Sequence, residues 1–231
     1  MIIAGLQKLT LLDYPGRVAC TVFLAGCDFR CPYCHNAELL TRSVPPAMTG
    51  EELTDFLRKR KGLLDGVCVT GGEPTLWGDE LFDLLGKIKA IGYSVKLDTN
   101  GGHPDMLKRL AAQGLIDYVA MDVKNSPDRY AQTCGLIKLD LTPIQESVSL
   151  LLSGAIPCEF RTTVVDELFD ESSFHKIGVW LRGAQRYFLQ PFVDRDTVPL
   201  AGLHAPTEEK MERYLEIVQE SIPNATIRGV S

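Results

Sequence analysis

Gly66-Val67-Cys68-Val69-Thr70 is a short apolar run. It is followed by the turn Gly71-Gly72-Glu73-Pro74, by a helix-length segment from Asp79 to Ile91, and by a second extended run, Tyr93-Ser94-Val95-Lys96-Leu97-Asp98. This order reads as strand, helix, strand. Such a unit places its two strands parallel, joined by a right-handed crossover that packs the helix on one face of the sheet.

The same alternation extends in both directions. Upstream, Ala19 to Ala25 is apolar but for Thr21, as suits a strand buried on both faces. Thr49-Gly50-Glu51-Glu52 then opens a helix with Leu53, Phe56 and Leu57 at helical spacing, and the basic run Arg58 to Lys61 reads as its solvated end. Downstream, helices are expected over Pro104 to Gln113, Thr142 to Leu152, Phe174 to Leu181 and Pro206 to Ser221. Strands are expected over Tyr118 to Val123, Cys158 to Val164, Arg186 to Gln190 and, at the tail, Ala225 to Arg228. Six strand-then-helix units are fewer than the eight that close a full barrel. The expectation is an α/β fold, an open partial (β/α)6 barrel with a mostly parallel sheet, in a single domain over residues 1–231. In parallel α/β architectures ligands bind beyond the carboxyl ends of the strands.

Lys and Arg total 24 against 30 Asp and Glu, a net charge of −6, and no stretch gathers a basic stripe, which argues against a nucleic-acid partner. The start, Met1 to Lys8, lacks the basic and long apolar regions of a secretory signal, so export is not expected. The apolar stretch from Val18 to Gly26 is far shorter than the roughly 20 residues of a membrane span, so a soluble protein without a membrane partner is expected. Of seven cysteines, Cys20, Cys68, Cys134 and Cys158 are scattered singly, which is poor material for a disulfide framework and suits a reducing cytoplasm.

The residues just past the strands carry the chemistry. Gly26-Cys27-Asp28-Phe29-Arg30-Cys31-Pro32-Tyr33-Cys34-His35 holds three clustered thiols, enough for three corners of an iron–sulfur cube and leaving one iron open to a substrate or cofactor. A structural zinc site with His35 as fourth ligand is the alternative, although adjacent Cys34 and His35 would strain to share one tetrahedral ion. Gly71-Gly72-Glu73-Pro74 reads either as a tight turn or as a backbone cradle with a carboxylate for an ammonium group. Lys124 and Asp122 face one side of a strand, as do Lys96 and Asp98, and either pair reads as an ion pair or as ligand contacts. Arg161 lies on the following strand and carries the same two readings. Cys20, Cys68 and Cys158 read as core, Cys134 as a loop thiol open to solvent, and His103, His175 and His204 as surface or capping residues.

Taken together, Cys27-x3-Cys31-x2-Cys34, the aromatic Tyr33 and Gly71-Gly72-Glu73-Pro74 resemble the radical S-adenosylmethionine superfamily. More narrowly, the run from Gly5 to Gly16 that leads into Cys27 is similar to that of the activating proteins of anaerobic ribonucleoside-triphosphate reductase, in their longer form. The resemblance implies a [4Fe–4S] cluster on Cys27, Cys31 and Cys34, with S-adenosylmethionine chelating the open iron. It also implies cofactor contacts from Tyr33, Gly71, Gly72, Glu73 and Pro74, from Asp98 and Asn100, from Asp122 and Lys124, and from Arg161. Some relatives carry a histidine where this chain has Gln190-Pro191-Phe192-Val193, so contacts at Gln190 are left open.

The implied activity is reductive cleavage of S-adenosylmethionine and removal of a hydrogen atom from a glycine of the partner reductase. The implied electron source is a low-potential donor such as flavodoxin or ferredoxin. Activation of another glycyl-radical enzyme, radical chemistry on a small molecule, and a zinc-stabilised or electron-transfer module are the rival readings.

Overall fold

A computed structural model describes residues 1–229; Val230 and Ser231, the last two of the expected single domain, lie outside the described residues. Among the described residues eight strands and seven α-helices follow in the order β1 Ile3–Thr10, β2 Ala19–Leu24, α1 Gly50–Lys59, β3 Gly66–Gly71, α2 Asp79–Ile91, β4 Ser94–Thr99, α3 Pro104–Ala112, β5 Tyr118–Asp122, α4 Tyr130–Thr133, α5 Thr142–Leu152, β6 Cys158–Val164, α6 Glu171–Trp180, β7 Tyr187–Pro191, α7 Glu208–Gln219 and β8 Ala225–Ile227. The strands follow one another in the sheet from β1 to β8. β1 runs antiparallel to β2, whereas β2 with β3, β3 with β4, β6 with β7 and β7 with β8 are parallel. The fold is α/β with an open, mostly parallel sheet. Among the described residues no helix is long and apolar enough to cross a membrane.

The chain forms two compact units, residues 1–28 with 38–119, and residues 29–37 with those from 120 onward. In the first, Val22, Leu24, Val67, Val69, Val95 and Leu97 of the strands are fully buried, as are Leu53 and Leu57 of α1 and Leu81 and Leu85 of α2. The continuous apolar strands thus bury both faces, as parallel sheets require. A reciprocal capping box starts α1: Glu52 N–H donates to Thr49 Oγ1 at 3.1 Å and Thr49 N–H to Glu52 Oε2 at 2.7 Å. The strand β1 carried no clear periodic signal. It is an edge strand whose centre is half-buried or exposed, with two register irregularities against β2, so neither alternation nor a continuous apolar run marks it.

In the second unit, Phe160, Val164, Tyr187 and Leu189 of the strands are buried along with Val148 and Leu151 of α5 and Phe174 and Ile177 of α6. Phe174 stacks on Phe169 at 5.4 Å and on Tyr214 of α7 at 4.4 Å, which ties the two last long helices together. α6 begins at Glu171, ahead of the expected Phe174, because Asp170 caps it by accepting Ser173 N–H at 2.8 Å. The carboxylate of Glu159, fully buried, receives a two-pronged contact from Arg228 at 2.8 and 3.0 Å.

Candidate active site

In the first unit the chain leaves β2 through Gly26 and Cys27, whose N–H groups donate to Leu39 O at 2.7 Å and Leu40 O at 3.1 Å. The turn after β3 is pressed onto that exit: Gly72 N–H donates to Leu24 O at 2.8 Å and Glu73 N–H to Gly26 O at 2.7 Å. A Cβ at Gly71 would collide with the carbonyl oxygen of Leu24, and one at Gly72 with that of Gly26. Both glycines are therefore demanded by backbone meeting backbone.

Glu73 is fully buried and its carboxylate is engaged within the chain. Oε1 accepts Thr75 N–H at 3.0 Å, the Thr75 hydroxyl at 2.5 Å and the Thr99 hydroxyl at 2.9 Å; Oε2 accepts Asn100 N–H at 2.6 Å. Burial raises its pKa, with the donated hydrogen bonds opposing. Pro74 opens the short helical turn that follows. Asn100 carries the connection onward, its Nδ2 donating to Asp28 Oδ1 at 2.8 Å, beside Cys27. His103 occupies the N-cap position of α3 without capping it, and its Nε2 lies 3.2 Å from Asp28 Oδ2. Burial works to raise the Asp28 carboxyl, but the nearby His103 imidazole and the hydrogen bond from Asn100 outweigh it and hold it below the usual range. Asp98 is 2.5 Å from the nearly fully buried Lys96.

The second unit contains Cys31, Tyr33 and Cys34. Cys34 N–H donates to Cys31 O at 3.2 Å, making a tight turn, and the loop is anchored by Arg30 N–H to Cys134 O at 2.8 Å and Leu200 N–H to Pro32 O at 3.0 Å. His35 stacks on Phe192 at 5.6 Å and its Nε2 sits 2.6 Å from Val193 O, so the segment after β7 reaches this loop through Phe192 and Val193. Gln190 is half-buried within β7.

Asp122 holds two cations, Arg161 Nε at 2.9 Å and Lys124 Nζ at 3.0 Å. Burial opposes its charge, yet Arg161 and Lys124 win and keep the carboxyl far below the usual range. Burial likewise works against Lys124, and Asp122 overrides it so that the ammonium is held above its ordinary value. One carboxylate against two cations leaves this cluster net positive.

The Cys31 thiol is lowered to about 7 by a hydrogen bond from Cys134, against burial and with help from Lys124, which favours the thiolate that binds metals. Cys134 itself is fully buried, which corrects the solvent-open loop thiol expected from sequence. Tyr33 is 4 % exposed and its hydroxyl has no partner. Among the described residues no three His, Cys, Asp or Glu side chains converge as for a single metal ion.

Residues 21–173 match the radical SAM superfamily. The chain belongs to that superfamily. It is 32% identical over 238 residues to a Methanocaldococcus jannaschii protein provisionally named a glycyl-radical enzyme activating enzyme, spanning 100% of this chain and 97% of that one. It is 24% identical to the pyruvate formate-lyase-activating enzyme of Listeria monocytogenes, over 94% of this chain and 95% of that one. Among solved structures, a domain of a pyruvate-formate lyase-activating enzyme from Bacteroides vulgatus superposes with a TM-score of 0.58 at 18% identity, covering 71% of this chain and 99% of that one. Streptococcus suis SuiB bound to its precursor peptide reaches a TM-score of 0.71 at 15% identity, over 90% of this chain and 48% of that one.

The chain is thus a radical SAM enzyme of the glycyl-radical activating kind, and the cofactors of the family are a [4Fe–4S] cluster and S-adenosylmethionine. The residues present fit such groups: Tyr33 offers an unpartnered buried hydroxyl, and Cys31 is set toward the thiolate. Asp28, Thr75 and Thr99 were given no role by the sequence reading, and His103, read there as a surface or capping residue, is part-buried against Asp28 without capping α3. Asn100 reaches Asp28 across 72 residues, and no local spacing announces such a bond.

Proposed function

We propose that this chain activates anaerobic ribonucleoside-triphosphate reductase, a protein substrate, by installing a glycyl radical on it. The run from Gly5 to Gly16 is the observation that carries that partner, and the unpartnered buried hydroxyl of Tyr33, in the same loop as Cys31 and Cys34, supports a group bound beside those cysteines. Cys27, Cys31 and Cys34 are assigned as cluster ligands. Tyr33, Lys124, Arg161, Asn100 and the backbone of Gly71, Gly72 and Pro74 are assigned as contacts to S-adenosylmethionine. Glu73, Asp98 and Asp122 serve by fixing those groups, since each spends its carboxylate on neighbours in the chain.

When bound, a reduced cluster and S-adenosylmethionine supply one-electron cleavage of the sulfonium and removal of a hydrogen atom from the partner's glycine. Arg161 and Lys124 present net positive charge to an anionic group, with Asp122 locking both in place. The Glu73 network fixes the turn after β3, so that its backbone groups meet a ligand without reorganising. We assign the electron to a flavodoxin or ferredoxin, the whole of residues 1–231 to one radical SAM domain, and the setting to the cytoplasm.

The test is anaerobic mixing of the reduced protein with S-adenosylmethionine and the reductase of the same cell. A doublet electron-spin signal on the reductase is expected, because one α-hydrogen remains on the radical carbon. Replacing the acceptor glycine by alanine should remove it. The pyruvate formate-lyase-activating relatives favour a second reading, in which another glycyl-radical enzyme is the partner. A doublet on that enzyme, with none on the reductase, would establish the second reading and sink the first.

A further inference from the structure

We propose that Cys68 and Lys96 form a modification site: hydrogen peroxide converts the Cys68 thiol to a sulfenic acid, and the Lys96 amine captures it as a sulfenamide that links β3 to β4. A thiol reductant reverses the link. Neither residue is assigned to the cluster, and the link does not depend on which glycyl-radical enzyme is the partner.

The two residues are register partners in the parallel pair of β3 and β4. Lys96 Nζ lies 3.8 Å from Cys68 Sγ and 2.5 Å from Asp98 Oδ1, and that same oxygen is 3.7 Å from the sulfur. Cys68 is fully buried and Lys96 is 1 % exposed, so no thiol from solution reaches an oxidised sulfur ahead of the amine. Asp98 follows Lys96 by two positions on β4 and shares its face, and its side chain is 13 % exposed. Hydrogen peroxide, little larger than water, reaches the sulfur past it. An apolar pair would fill this space with no charge to desolvate. Instead the two strands bring together a sulfur, an amine and a proton acceptor.

A cation in contact with the sulfur supports the thiolate, the form that attacks peroxide. The thiolate takes one oxygen of the peroxide and the O–O bond breaks. A proton from the Lys96 ammonium, relayed by Asp98, turns the departing hydroxide into water, so the sulfur is oxidised by two electrons and the amine is left neutral. That amine then attacks the sulfur. The S–N bond forms, the S–O bond breaks, and the hydroxyl leaves with a proton of the nitrogen as a second water. Two equivalents of thiol return the cysteine and the amine and leave as a disulfide. The linked nitrogen is uncharged, so Asp98 loses its ion pair with Lys96 for as long as the link lasts.

The experiment treats the full chain, purified in the presence of a metal chelator, with hydrogen peroxide, then digests it with trypsin and weighs the peptides with and without dithiothreitol. A pair of peptides joined through Cys68 and Lys96 is expected, about 2 Da lighter than its two parts together, and dithiothreitol should remove it. Cys20 is equally buried, and its thiol is pushed up to about 12 by burial. At the dose that links Cys68, its oxidised fraction should be at least about tenfold smaller. In Lys96→Met the link should vanish and Cys68 should proceed to the sulfinic acid, about 32 Da heavier. If that variant fails to fold, fragmentation of the joined peptides from the parent protein locates the bond and decides the matter. A parent Cys68 that stays a thiol, or that goes to sulfinic acid without linking, overturns the proposal. So does a link that survives in Lys96→Met or that fragmentation places on a backbone nitrogen.

Discussion

Asn100 donates its backbone N–H to Glu73 Oε2 at 2.6 Å, joining the loop after β4 to the turn after β3. The bond makes a buried carboxylate the hub of two strand ends, with Thr75 and Thr99 completing it. Glu73→Ala would strand these donors in the interior. A loss of roughly 3 to 5 kcal/mol is expected, and about 1 to 2 for Glu73→Gln, which keeps one carbonyl acceptor. Urea denaturation of the three proteins measures it, and equal midpoints would show that water takes the place of the carboxylate.

Gly72 is the tighter of two glycines against the exit of β2. Gly72→Ala places a methyl on the Gly26 carbonyl, which is backbone and has little room to yield. At least about 2 kcal/mol should be lost, within the range of overpacked sites. Gly86→Ala, an open position on α2, is the control and should be neutral or stabilising. A Gly72 variant as stable as the control would mean that the turn can move away from β2.

Asp122 yields a prediction in pH. Its carboxyl is held far below the ordinary aspartate value of 3.8, so the unfolded chain binds a proton more readily than the folded one. Stability from this group is present above about pH 4 and is lost as pH falls through the depressed folded value. The gap in urea midpoint between the parent and Asp122→Asn should be widest near neutrality and narrow as the pH drops from about 4 toward 2. A gap that does not change over that interval would remove Arg161 and Lys124 as the cause.

The cysteines divide into two groups. Cys27→Ala, Cys31→Ala and Cys34→Ala should each abolish the brown absorbance of the anaerobically reconstituted protein, whereas Cys68→Ala and Cys158→Ala should retain it. Iron and sulfide analysis checks the result, with about four of each per chain in the parent for a cube. One zinc per chain without sulfide would point to a structural metal site.

The periodic elements were legible because their signals are local. The helices α2 and α5 and the strand β6 lie where the apolar spacing and flanking turns put them, and the ends of β2, β3 and β4 fall within one residue of expectation. The edge strand β1 was not legible, since its centre is half-buried or exposed and shows no alternation. The cysteine run and the Gly-Gly-Glu-Pro turn were likewise plain in the sequence, being short and contiguous.

The chain alone thus determined the succession of strands and helices from β2 onward apart from the short α4, the mostly parallel sheet and the sequence positions of the candidate ligands, all of which depend on neighbours a few residues apart. Tertiary structure decided what those side chains do. Glu73 became a hub because Thr99 and Asn100 come to it from another strand, Asp28 gained Asn100 and His103, and Cys134 was taken from an expected loop surface to a buried place beside Cys31. Each of these outcomes joins residues far apart in sequence, and a hydrogen bond between such residues leaves no periodicity for a sequence to display.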